Sequence, residues 1–278
     1  MTLARMSPPE RPWRRYVAIG DSFTEGMSDA DPRAPGEYVG WADRLAGLLA
    51  EVAARDGVAF DYANLAVRGR LLADVTDRQL GDALALAPDL VSIVGGGNDI
   101  LRPRADMSAL AARLEEAVVA IRATGADVLL ATPTDPEGAP VIRHLRGRHA
   151  THAANIWTIA RRHGCHVIDQ WGMTSLKDWR MWAPDRIHLT SEGHRRVALN
   201  AFTALGYAPQ DANWEVPLPP KPPAPRGERL RGDRAWLVDH VSPWVARRLR
   251  GRSSGAVSYT HLRAHETVLD LVCRLLLE

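Results

Sequence analysis

The chain has 278 residues, of which 46% are hydrophobic, 35 are Lys or Arg, 33 are Asp or Glu and two are Cys. That is enough apolar material for one large domain, alone or with an appendage, and it excludes disorder throughout. No apolar run approaches the roughly 18 residues that cross a bilayer, no secretory apolar segment opens the chain, and Cys165 and Cys273 supply neither a disulfide framework nor a zinc cluster. A soluble, cytoplasmic protein with no structural metal is the expectation.

Tyr16 to Ile19 is a short apolar run that stops at Gly20-Asp21-Ser22, the pattern of a buried strand that delivers a serine into a turn. Residues 23–36, rich in Gly, Pro, Asp and Ser, read as a loop. Trp41, Leu45, Leu48, Leu49 and Val52 recur on one face of a predicted helix over 40–55. A second strand over 60–65 runs into Asn64-Leu65-Ala66-Val67-Arg68-Gly69, and an amphipathic helix is predicted over 71–86, closed by Pro88. Leu90 to Val94 is the most obvious strand, apolar except for Ser92, and it leads into Gly95-Gly96-Gly97-Asn98-Asp99. Further on come a helix over 108–124, a strand over 127–131, a helix over 148–163 and a strand over 165–168. A Trp-rich irregular loop over 171–184 precedes a last helix, capped by Thr190 or Ser191 and running to about 205.

Parallel strands need helical crossovers, so five strands alternating with helices predict an α/β fold. It is a three-layer α/β/α domain on a five-stranded parallel sheet, wound in the flavodoxin manner. The domain occupies 14–206 after an N-terminal arm at 1–13. Seven of the 19 prolines fall in 209–225, so 207–232 reads as a Pro- and Arg-rich linker. Residues 233–256 then read as an amphipathic C-terminal helix, with Trp236, Leu237, Val241, Trp244, Val245 and Leu249 on its apolar stripe.

Open α/β sheets bind ligands at the carboxyl ends of their strands, so Ser22 stands where a nucleophile is useful. Taken alone, Gly20-Asp21-Ser22 reads more readily as a turn in which Asp21 or Ser22 caps a helix. A working serine needs a base, an orienter for that base and donors for an oxyanion. Asp185-Arg186-Ile187-His188 follows the fifth strand. Three residues of separation in a tight turn let the Asp185 carboxylate reach the near ring nitrogen of His188 and leave the far one for Ser22. Gly69 ends the second strand's loop and Asn98 follows the third, so both face Ser22 if those strands flank the first. The Gly69 N–H and the Asn98 amide then join the Ser22 N–H in an oxyanion hole. Each feature also has a plain alternative: a helix-start pair, a positive φ, a capped turn. Trp179 and Trp182, with Trp171 and Met181, form either an apolar wall for an acyl or aromatic group or ordinary core packing. The remaining histidines have no zinc-motif spacing.

Gly20-Asp21-Ser22, Asn64 through Gly69, Gly96-Gly97-Asn98-Asp99 and Asp185-Arg186-Ile187-His188 resemble, in order, the four blocks of the SGNH or GDSL hydrolase family. The likeness covers roughly 14–206. It implies a Ser22 nucleophile, His188 as general base, Asp185 as its partner, and Ser22, Gly69 and Asn98 as oxyanion donors. It also implies esterase, lipase, thioesterase or carbohydrate-deacetylase chemistry on a small-molecule ester, with no metal or cofactor. Phe23-Thr24-Glu25-Gly26 and the tail are similar to an intracellular actinobacterial branch of that family.

Two alternatives accompany this reading. A bound acceptor in place of water makes the same site an acyltransferase. The basic stretch over 207–256, with nine basic and five acidic residues, could instead serve a nucleic-acid-binding tail on a silent scaffold. That stretch has no helix-turn-helix or interleaved aromatic pattern, so nucleic acid is not the expected partner. Residues 257–278 resemble one reading frame of a transposase-type sequencing adapter and are expected to be non-biological.

Overall fold

A computed structural model describes residues 9–10, 12–139, 142–222, 225–236 and 238–239. The adapter-like tail, the expected helix beyond residue 239 and most of the N-terminal arm lie outside these residues. In chain order the elements are β1 (Arg15–Gly20), α1 (Ser22–Glu25), α2 (Trp41–Arg55), β2 (Asp61–Asn64), α3 (Leu72–Asp74), a π turn (Val75–Gln79) and α4 (Leu80–Ala85). They continue with β3 (Leu90–Val94), α5 (Gly97–Ile100), α6 (Met107–Arg122), β4 (Asp127–Ala131), α7 (Arg146–His163), β5 (His166–Ile168), α8 (Ser191–Ala204) and α9 (Arg226–Trp236). All strand pairs are parallel, in the order β2-β1-β3-β4-β5, so the expected three-layer, flavodoxin-type fold is the one observed.

The strand sequences explain the layers. Side chains alternate across a sheet, and β1 is apolar at successive positions because both faces are covered. Tyr16 and Ala18 pack with Trp41, Leu45 and Leu49 of α2 and with Val197, Ala201 and Phe202 of α8. Val17 and Ile19 point the other way, into Leu114, Val118 and Ile121 of α6 and Ile156 and Ile159 of α7. In the first layer the Tyr16 hydroxyl meets the Ser92 hydroxyl at 2.8 Å, which satisfies both groups in the core.

Three predicted elements differ in the structure, one of them the Pro- and Arg-rich linker expected over 207–232, in which α9 already begins at Arg226 rather than at 233. The loop expected over 23–36 begins as the helical turn α1, because the Asp21 side chain caps it by accepting the Phe23 N–H at 3.1 Å. The helix expected over 71–86 is broken into α3, the π turn and α4. An apolar stripe survives such an insertion, since one extra residue per turn only rotates it.

The proline-rich segment lies against the domain. Arg196, nearly fully buried, pairs with Glu192 at 2.7 Å and donates from Nη1 to the carbonyls of Trp214 and Val216 at 3.0 and 2.7 Å. Trp214 is buried, and Arg180 Nη2 donates to the Pro219 carbonyl at 2.9 Å. Arg196→Ala leaves the buried Trp214 carbonyl and the partly exposed Val216 carbonyl without their donor, at an expected cost of about 2 kcal/mol. Urea denaturation of the two proteins measures it, and coincident unfolding midpoints would show that the segment holds without this tether.

Candidate active site

The site is assembled at the carboxyl ends of β1, β2 and β3, beside the turn that precedes α8. Parallel strands all present these ends on one edge, and β1 is hydrogen-bonded to both β2 and β3. The loops after those three strands are therefore neighbours, as the placement of Ser22, Gly69 and Asn98 requires.

At the end of β1, Gly20 is clamped by a residue whose role the sequence did not reveal. Gln79, buried on the π turn, accepts the Gly20 N–H at 2.8 Å and donates to the Gly20 carbonyl at 2.9 Å. A side-chain amide thereby fixes the residue two places before Ser22. Gly20 itself has no room for a side chain. A Cβ there would lie 2.6 Å from Thr24 Oγ1 and 2.6 Å from the Val94 backbone carbonyl.

Asp21 is buried and does two jobs. Its Oδ1 caps α1, and its Oδ2 accepts from Asn98 Nδ2 at 3.2 Å. Burial pushes its carboxyl up to about 6; the Phe23 N–H and the nearby His188 oppose the rise, and Asp99 and Glu25 add to it.

Asn98 also donates to the Arg70 carbonyl at 2.9 Å. Its amide thus ties the β3 loop to the loops carrying Ser22 and Gly69. Gly69 has φ +73°, a left-handed value that suits a residue without a Cβ. Its loop is sewn to α1 at two points. Asn64 Nδ2 donates to the Thr24 carbonyl at 2.9 Å, while Glu25 accepts from the Arg68 N–H at 2.7 Å and from the Arg68 guanidinium. Among the described residues, the Ser22 and Gly69 N–H groups donate to no protein acceptor. Asp99 lies on the same turn, where it accepts the Leu72 N–H at 3.0 Å. Gly96 serves packing: a Cβ on it would meet the ring of His152, which is buried under this loop, whereas a Cβ on Gly97 would meet nothing within 4 Å.

Across the cleft, a short antiparallel bridge between Trp182 and Leu189 closes a tight hairpin. Ala183 N–H donates to the His188 carbonyl at 2.9 Å, and Arg186 N–H to the Ala183 carbonyl at 2.9 Å. At its tip Asp185 Oδ1 accepts the N–H groups of Ile187 and His188 at 2.9 and 3.0 Å, and Oδ2 lies 2.6 Å from His188 Nδ1. Burial alone would raise the Asp185 carboxyl. The bond to His188, the histidine's charge and the two backbone N–H groups outweigh it and hold the carboxyl at about 2.

An ionised carboxylate only accepts, so a neutral His188 beside Asp185 Oδ2 is assigned its proton on Nδ1, and Nε2 then offers a lone pair. His188 Nε2 lies 3.0 Å from Ser22 Oγ, and the serine hydroxyl donates to it. An imidazole in this state can remove a hydroxyl proton as that oxygen attacks an acyl carbon.

The two tryptophans are placed differently. Trp182 is partly buried against the core and donates from Nε1 to the Leu176 carbonyl at 2.7 Å. Trp179 is 41% exposed and lies beside the Arg186 guanidinium. Among the described residues, no group of three His, Cys, Asp or Glu side chains is placed to hold a metal ion, and no helix is long and apolar enough to cross a membrane.

Gly20→Ala tests the cramped end of β1. It is expected to cost about 2 kcal/mol in a urea titration, because the Val94 carbonyl is backbone and must move. It should also slow the labelling of Ser22 by a serine-reactive phosphonate. Stability and labelling rate both equal to wild type would show that this end of the strand yields without consequence.

A profile of the GDSL-like lipase/acylhydrolase family matches residues 18–196. A variant of Axe2, an acetyl xylan esterase from Geobacillus stearothermophilus, shares the fold at 23% identity and TM-score 0.58, covering 69% of this chain and 94% of that one. LAE5, an alpha/beta hydrolase enzyme from the metagenome of Lake Arreo, Spain, does so at 22% identity and TM-score 0.58, with 73% and 97% covered. The structure of TesA is similar at 24% identity and TM-score 0.55, with 69% and 98% covered. A search of curated proteins returned no match. With more than half of its length matched and the SGNH fold shared, the chain belongs to the GDSL-like lipase/acylhydrolase family and is an SGNH-type carboxylic ester hydrolase.

Proposed function

We propose that the protein hydrolyses carboxylic esters through an acyl-enzyme on Ser22, with His188 as general base and Asp185 as the group that orients it. The reading rests on one observation, the unbroken hydrogen-bond chain from Asp185 through His188 to Ser22. Ser22 Oγ attacks the carbonyl carbon while its proton passes to His188 Nε2. The negative charge that collects on the carbonyl oxygen is met by the N–H groups of Ser22 and Gly69 and by the Asn98 amide. At rest that amide bonds to Arg70 and, at the longer 3.2 Å, to Asp21; the longer bond is the one it shares with the oxyanion. Collapse breaks the bond to the leaving oxygen, which takes the proton from His188. Water then attacks the acyl-enzyme, its proton passes to His188, and Ser22 is released.

The substrate class proposed first is a short acyl ester, since the Axe2 neighbour is by name an acetyl xylan esterase. Trp182 and Trp179 are the proposed apolar wall beside the acyl group. p-Nitrophenyl esters from acetyl to palmitoyl test both points. Wild type is expected to prefer the short end, Ser22→Ala to lose about 10³-fold or more in kcat, and Trp182→Ala to shift the length preference. An active Ser22→Ala protein would remove the serine mechanism. An unchanged length profile in folded Trp182→Ala would remove the wall.

The pH profile has a defined sign. The base works only as neutral imidazole, so kcat/KM is expected to fall as pH drops. Asp185, held at about 2, keeps its charge through this limb and does not shape it. Activity that stays flat down to pH 4 would exclude His188 as the base.

A further inference from the structure

Helix α9 lies beyond the residues that match the family, yet it reaches the hairpin that carries His188. Trp236 Nε1–H donates to the Asp185 backbone carbonyl at 2.8 Å. The Arg186 guanidinium lies 4.9 Å from the Trp236 ring centroid and 5.6 Å from that of Trp179, and it pairs with Asp233 at 2.8 Å. One residue between the proposed orienter and the proposed base is therefore held by three side chains, two of them from α9.

Arg186 needs such holding. Its φ is +58°, a left-handed value that residues with a Cβ seldom adopt. Such a conformation persists where the surroundings over-determine it. Inside the hairpin, Asp185 Oδ1 and the Ala183 backbone fix the tip. Outside it, the stacked and paired guanidinium and the Trp236 bond to Asp185 act on the same two residues. A planar guanidinium against aromatic rings, with a carboxylate at its edge, is satisfied in few orientations, so it constrains the backbone that carries it. The constraint matters because the Asp185–His188 bond and the His188–Ser22 bond must form together, and misplacing a reacting group by about 1 Å costs on the order of 100-fold in rate.

We propose that Trp236 and Arg186 are positioning residues: α9 straps the Asp185–His188 hairpin from outside and holds the imidazole within reach of Ser22. The proposal rests on the ester-hydrolase reading of this site. It assigns the C-terminal segment a part in turnover rather than in substrate binding, so its signature is a loss in kcat with little change in KM.

The test compares the full chain with Trp236→Ala, Trp236→Phe, Arg186→Ala and the Arg186→Ala/Trp236→Ala pair. Three quantities are read: kcat and KM on p-nitrophenyl acetate, the thermal midpoint, and the downfield proton resonance of the His188 Nδ1–H. Trp236→Ala is expected to lower kcat about tenfold with KM within about twofold, and to weaken or shift the resonance while the midpoint holds. Trp236→Phe, which keeps a ring over Arg186, should retain more kcat. The double variant should lose less than the product of the two single losses, because part of each residue's effect runs through the contact they share. Wild-type kcat and an unmoved resonance in Trp236→Ala would overturn the strap. So would a loss of kcat that only tracks a falling midpoint across the four variants. If wild type cleaves no ester, the hydrolase reading fails on its own, and the resonance still decides the strap: moved in Trp236→Ala, it stands; unmoved, it falls.

Discussion

Everything at this site depends on one hydrogen bond of 3.0 Å between groups 166 residues apart, Ser22 Oγ and His188 Nε2. No local preference can make it. The parallel sheet solves half the problem, since it brings the carboxyl end of β1 to a common edge with those of β2 and β3 and leaves that edge open. The other half is rigidity at each end. On the serine side, Gly20 is held by both hydrogen bonds of Gln79, and the next residue caps the helix on which Ser22 begins. On the histidine side, a hairpin closed by the Trp182–Leu189 bridge leaves the tip few ways to move. A site arranged this way arrives with its ordering cost already met by folding, which is the usual source of a rate advantage from position.

The two carboxylates flanking the chain of hydrogen bonds show how the environment divides their labour. Asp21 and Asp185 are the same residue type, yet one is pushed up to about 6 and the other held at about 2. Asp21 is buried with a backbone N–H and an amide for company, so desolvation wins. Asp185 is buried less completely and collects two backbone N–H groups and an imidazole, so the charged form wins. In the proposed mechanism the lasting charge on Asp185 favours the imidazolium that would form on His188 during proton transfer.

The sequence carries the fold and the contacts of the candidate site because both are written in short-range patterns. Apolar runs mark β1 and β3, the Gly-Asp-Ser and Gly-Asn-Asp turns mark where they stop, and three residues of spacing between Asp185 and His188 suffice to predict their contact. What supports those residues is not readable in the same way. Gln79 looks like one more polar residue on an amphipathic helix, since nothing in the stripe around it announces a π turn. Glu25 and Arg68 lie 43 residues apart, and their pairing follows only from β1 and β2 being neighbours. Arg186 looks like a surface cation inside a recognised motif, and its positive φ has no sequence signal because the expected residue there is glycine or asparagine.

The C-terminal segment makes the same point over a longer distance. Its seven prolines over 209–225 read as linker composition, and composition cannot distinguish a free linker from a docked one. Proline narrows the conformations of the unfolded chain, so fixing a proline-rich stretch costs less entropy than fixing an ordinary loop. Few anchors are then enough, and Arg196 and Arg180 supply them at the carbonyls of Trp214, Val216 and Pro219. The anchors come from α8 and from the segment just before the hairpin, the two stretches that flank His188. A chain pinned at those places is delivered back to the hairpin, which is where Trp236 meets the carbonyl of Asp185. The route of the segment thus follows from where its two anchoring arginines lie, Arg196 buried on α8 and Arg180 exposed just before the hairpin, on either side of His188.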